Sequence, residues 1–239
     1  MLAIYSAIVS YILVYILSAF FGRTYFSLIT KSNQLYLSCV LSTYFLARYY
    51  YFKKGGLSTV LWGYSFVALA IVSAIDLFLI INNLMLTADV FLIRTIFTTL
   101  IPMFQFMGTA YIFWERRIIY LWLPILYGIA QYIVVCIVIF TEGLLQSIII
   151  ATWFYDVPLH FTIGFLLLEY GFYRQVKSVI LLGLGSLLIG LFNFIWYFMT
   201  PYSIIYSVLN ILILQTGLLF MTIGLILGRY EFRRRRFLQ

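Results

Sequence analysis

The sequence predicts an all-α integral membrane protein, a bundle of eight transmembrane helices with no soluble domain. Three observations carry this. Of the 239 residues, 65% are apolar, 21% aromatic and only 9% charged, far from the roughly 25% charged composition of a soluble domain. The apolar residues fall in runs of around 20, the length that about 30 Å of hydrocarbon demands of a helix. The fifteen basic and seven acidic residues gather in short clusters between those runs and cannot cover a water-facing surface.

Taken in order, the expected spans are 2–22, 35–52, 57–81, 90–114, 118–140, 147–168, 179–199 and 203–227, followed by a short basic tail at 229–239. The first, MLAIYSAIVSYILVYILSAFFG, lacks a basic leading segment and an A-x-A-like cleavage site, so it reads as a retained span rather than a signal peptide. The second, LYLSCVLSTYFLARYYYF, is the weakest. The others are continuously apolar, which favours helices over barrel strands, since those would alternate over about ten residues.

Lysine and arginine set the orientation. Arg48, Lys53 and Lys54, then Arg116 and Arg117, then Arg174 and Lys177, then Arg229 with Arg233 to Arg236, each close an even-numbered span. With eight crossings these fall on one side, and the positive-inside rule places both termini in the cytoplasm of a multi-pass cell-membrane protein. Arg23, Lys31 and Arg94 are left for the other side. Arg23 and Lys31 directly follow the first span, which supports an alternative with seven spans, an external N-terminus and a re-entrant second run. The inward junctions ARYYYFKK, AYIFWERR, LEYGFYRQVK and GRYEFRRRR all pass from aromatics into bases, as helix ends at the headgroup level do.

Ionisable residues inside the spans are few. Each costs about 2.5 to 3.5 kcal/mol at a helix centre and so needs a partner, a water-filled cavity or a task. Asp76 lies five residues from the end of the third span and Arg94 five residues into the fourth, so their depths match. They are expected to form an ion pair across the INNLMLTAD turn, with Asp89 as a further sharer, acting either as a staple or in an external vestibule. Asp156 and His160 lie near the middle of the sixth span, four residues apart and therefore on one helix face. Pro158 between them removes a backbone donor, predicting a kink and free carbonyls near residue 154. Tyr155, Asp156, Pro158 and His160 are thus a candidate proton or ion site; the alternative is a self-satisfied pair, or Asp156 hydrogen-bonded to Tyr155 or to a neighbouring helix. Gln105 beside Pro102, Gln131, Asn193, Asn210 and Gln215 form a candidate polar seam, each otherwise an interhelical hydrogen bond.

Several functions lack their residues. The single histidine excludes bis-histidine haem ligation, and HExxH, a serine–histidine triad and a carboxylate-rich metal cluster are all missing. Tyr155-Asp156 together with GLGS at 183–186 superficially resembles the YD and GLGD motifs of presenilin-type intramembrane aspartyl proteases. Ser186 stands where their second carboxylate belongs and no PAL sequence follows, so two-carboxylate chemistry is unavailable. The glycines at 183, 185 and 190 are expected to serve helix packing. Cys39 and Cys136 read as buried inert thiols, and neither a metal nor an organic cofactor is implied.

Arg233, Arg234, Arg235 and Arg236 anchor the last helix to an anionic leaflet or dock an acidic cytoplasmic partner such as a separate ATPase. The net charge of +8 restates this inside bias and is not a nucleic-acid signature. The reading that follows is a transport or translocation component, proton- or ion-coupled through Asp156 and His160, working with other subunits because the chain has no room for its own energy-supplying domain. The alternatives are a haem-free, quinone-interacting subunit of a respiratory complex and a multispan sensor. No enzyme activity is assigned.

Overall fold

A computed structural model describes residues 9, 12, 28–53, 56–113, 118–199 and 204–236, for some of them the backbone alone. Among these the chain is helical apart from short turns, with no strand. The helices are α1 (28–46, running into a π turn, Ala47–Tyr51), α2 (Leu57–Ile81), α3 (Ala88–Phe113), α4 (Ile118–Thr141), α5 (Leu144–Ala151, followed by a π turn, Thr152–Asp156), α6 (Val157–Arg174), α7 (Lys177–Met199) and α8 (Ile204–Arg236). Among the described residues five helical stretches are long and apolar enough to cross a membrane: Leu57–Ile81, Ala88–Tyr111, Trp122–Thr141, Leu144–Arg174 and Lys177–Ile195. A shorter apolar stretch, Leu212–Gly228, lies within α8. The expected span 2–22 lies outside the described residues, except for residues 9 and 12.

The boundaries differ from the sequence expectation in three places. The helix of the weak second run already includes residue 28, seven residues before the expected start. The sixth span is longer than 147–168, because α5, the π turn and α6 join into one helical path from Leu144 to Arg174. The last helix does not stop where the basic tail begins; it continues to Arg236, as suits arginine, a good helix former with no proline to interrupt it.

The described residues form two compact units, one within Ser27–Leu159 and one from His160 onward. In the first unit α1, α2 and α3 run up, down and up around a core of Leu37, Leu41, Phe45, Trp62, Phe66, Leu69 and Phe106. Phe45 stacks on Phe66 with ring centroids 5.9 Å apart. Small residues permit this closeness: a Cβ on Gly108 would stand 2.7 Å from the Trp62 ring. The α2–α3 turn is closed by Leu84 N–H donating to the Leu79 carbonyl and by Asn83 in the left-handed region, which asparagine tolerates. At the α4–α5 turn Gly143 takes φ +92°, a conformation side chains disfavour. Beyond it Phe91, Val135, Ile139 and Ala151 form a second apolar cluster.

In the second unit α6, α7 and α8 meet through small residues. A Cβ on Gly183 would stand 2.9 Å from the Gly164 carbonyl oxygen, one on Gly185 2.6 Å from that of Gly217, and one on Gly224 2.7 Å from that of Ser178. Backbones approach this closely only where side chains are absent. Ile163, Leu167, Ile189, Leu214, Leu218, Met221 and Ile226 fill the space around these crossings.

Candidate functional site

Three successive antiparallel helices bring the start of α1, the end of α2 and the start of α3 to one end of the first unit. Asp76 and Arg94 meet there: Arg94 Nε donates to Asp76 Oδ1 at 2.7 Å and Nη2 to Oδ2 at 3.2 Å, a bidentate fork. A second cation joins them, with Lys31 Nζ 2.6 Å from Asp76 Oδ2. Sequence reasoning missed Lys31 because it assigned the residue to a loop, whereas α1 already includes position 28. Asp89, offered as a sharer of the pair, forms neither of the two salt bridges at this cluster.

The cluster is sunk but not sealed. The Asp76 side chain is 13% exposed, and those of Lys31 and Arg94 are 27% and 26% exposed. Arg94 is also within electrostatic reach of a second carboxylate, Asp156. Arg94 therefore lies between two carboxylates, bonded to Asp76 of α2 and, at longer range, facing Asp156 of the π turn that packs against α3.

That π turn explains how Asp156 is presented. Pro158 has no N–H, so the carbonyl four residues before it, that of Phe154, loses its α-helical donor. The chain responds by widening one turn, and Val157 N–H reaches back to the Thr152 carbonyl. Such a π turn shifts the helix face by about one residue and recurs at functional positions. The irregularity expected at Pro158 thus takes the form of a π turn, while α3 runs on unbroken through Pro102 and α4 through Pro124.

Tyr155 is fully buried. Its hydroxyl donates to the Pro124 carbonyl of α4 at 3.3 Å, not to Asp156, and its ring packs 5.1 Å from that of Tyr127. Gly128 leaves the space it fills, since a Cβ there would stand 2.9 Å from the Tyr155 hydroxyl. Nearby, Thr99 Oγ1 donates to Gln131 Oε1 at 3.0 Å, tying α3 to α4. Gln105 is buried on α3, and its Oε1 has no hydrogen-bond partner among the described residues.

His160 belongs to the second unit. It is buried, its Nδ1 has no hydrogen-bond partner among the described residues, and its backbone carbonyl accepts from Ser186 Oγ at 3.0 Å. Gln215 is buried and Asn193 half-buried in the same unit. Of the candidate seam, Gln105 and Gln131 lie in the first unit and Asn193 and Gln215 in the second. The side chains of Asn210 and of Arg233 to Arg236 lie outside the described residues.

Among the described residues no three histidine, cysteine, aspartate or glutamate side chains converge on a point that would hold a metal ion. An apolar crevice of about 510 Å3 opens by the α2–α3 turn, lined by Ile71, Ile75, Phe78, Leu84, Met85 and Val90 among others. No protein-family model, curated protein or solved structure matches the chain.

Proposed function

We propose that this chain is a transport or translocation component of the cell membrane, coupled to a proton or ion through Asp156 and its electrostatic partner Arg94. The carrying observation is the Lys31–Asp76–Arg94 network, whose Arg94 is also within electrostatic reach of Asp156, set among helices of membrane-crossing length. A structural staple needs one cation for one carboxylate. A second cation and a second carboxylate give the network two arrangements of comparable charge balance, and two-state elements of this kind are what coupling requires. His160, four residues further on, is a second protonatable group on the same helical path.

Lipid is the medium this reading requires. Only 28% of the apolar window in Leu57–Ile81 is buried within the protein, and Leu57, Tyr64, Phe78 and Ile81 of that helix are exposed. Large exposed apolar side chains recur on other helices, among them Ile133, Phe140 and Phe165. Such a surface suits hydrocarbon rather than water. In full, the proposal has eight crossings, both termini in the cytoplasm, and an arginine-rich end that meets anionic lipid or a separate cytoplasmic partner.

The test is coupled uptake in proteoliposomes. Asp156→Asn is expected to abolish proton- or ion-driven flux while the protein still inserts; undiminished flux in that variant contradicts the assignment.

A further inference from the structure

We infer that the Lys31, Asp76, Arg94 and Asp156 cluster binds an oxyanion, such as a phosphate or carboxylate group, and that the anion enters together with one proton. The inference rests on the transport reading and names the cargo class of that same site. It begins with hydrogen-bond donors. A guanidinium carries five N–H groups and an ammonium three. Arg94 directs its Nε and one Nη2 hydrogen at Asp76, and Lys31 directs one hydrogen there. The remaining donors of both cations have no described partner, although each side chain is about a quarter exposed and can be reached. Asp76 is already engaged by two cations. The site has surplus donors and one acceptor already shared by two cations, which is the arrangement an oxyanion completes. The planar fork of arginine suits two oxygens of one such group.

Charge balance supplies the proton. With both carboxylates ionised the cluster is neutral, and an arriving anion would leave it net negative in a medium that penalises charge. With Asp156 protonated the cluster carries one surplus positive charge, which the anion neutralises. The anion and the proton therefore stabilise each other, and by linkage each raises the affinity for the other. A metal cation in place of the anion would be repelled by Lys31 and Arg94 together. Among the elements packed against the π turn, α3 presents Arg94, α4 presents Tyr127 through its contact with Tyr155, and α5, LLQSIIIA, carries no titratable side chain.

Isothermal titration of the purified full chain tests this, run in two buffers of different ionisation enthalpy so that proton uptake is read with binding. One arm adds acetate, a monoanion that does not titrate near neutral pH or above, in phospholipid-free detergent; the other adds phosphatidylglycerol in mixed micelles, which separates a soluble anion from a lipid headgroup. Binding in either arm is expected with uptake of about one proton per anion. In Asp156→Asn the same anion should bind at least about tenfold tighter, without proton uptake, at a pH where the wild-type carboxylate is ionised. Arg94→Gln should weaken binding about tenfold or more, and Lys31→Gln, which keeps the Asp76–Arg94 fork, should weaken it less. Absence of binding in both arms, or proton uptake unchanged in Asp156→Asn, overturns the inference. Lost flux in Asp156→Asn without any anion binding overturns the cargo class and leaves transport standing; anion binding with proton uptake but no flux in proteoliposomes does the reverse.

Discussion

At the scale of single residues, Asp76 holds the cluster together, because it is the acceptor for two cations. Replacing it with asparagine leaves Lys31 and Arg94 facing each other unpaired, and the expected loss is about 3 kcal/mol, the low end for breaking a buried pair since both cations keep some exposure. Lys31→Gln, which leaves the bidentate Arg94 contact intact, should cost about 1 kcal/mol or less. Equilibrium unfolding in mild detergent checks the ranking; equal losses would mean that Asp76 is not the shared acceptor. The Asp76–Arg94 relation was legible in the sequence because two rare charges at matched depth on adjacent antiparallel helices have few other partners. Lys31 was not, since a lysine among SLITKSNQ reads as a loop when hydropathy alone defines the helix start. A charge count at that end points to it: Arg23, Lys31 and Arg94 stand there against one deep acid, Asp76. The approach of Arg94 to Asp156, 62 positions apart in sequence, depends on tertiary packing that no local pattern encodes. Sequence spacing relates Asp156 to His160 and carries no information about a cation on α3.

At the scale of elements, two local irregularities carry consequences. The π turn at Thr152–Asp156 exists because Pro158 withholds a donor. In Pro158→Ala the missing N–H returns, the turn is free to tighten to α-helical register, and Asp156 rotates by about 100° relative to Arg94. Coupled flux should fall although every charged residue is retained; flux equal to wild type would show that the π turn does not position the carboxylate. The expectation of a helix defect at Pro158 came directly from the chemistry of proline, but its form as a π turn, and the unbroken course of α3 through Pro102, follow from packing. The glycine crossings were legible as packing residues and are so used. Gly185→Val would force a side chain into the Gly217 carbonyl, and overpacking of this kind costs about 1 to 3 kcal/mol. Thermal unfolding followed by circular dichroism checks this, with Leu209→Val, at an exposed position of α8, as the neutral comparison. An equal shift in both variants would mean that the α7–α8 crossing has room to spare.

At the scale of the whole molecule, the continuously apolar runs predict helices rather than alternating strands, and the described residues are helical with no strand. Helix boundaries were less legible, because hydropathy reports where lipid-like residues lie, and helices such as α1 and α8 extend past them through polar and basic residues. The chain's division into two units had no sequence signal, as no linker or change in composition marks residue 159. The account stands on lipid surrounding the outward apolar side chains. With Cys39 and Cys136 replaced by serine, a nitroxide placed in turn at Ile133, Phe140 and Phe165 in reconstituted bilayers reports its surroundings through collisions with oxygen, which concentrates in hydrocarbon, and with a water-soluble nickel chelate, which does not. The account predicts dominant oxygen collisions at all three positions; dominant nickel collisions at all three would contradict it.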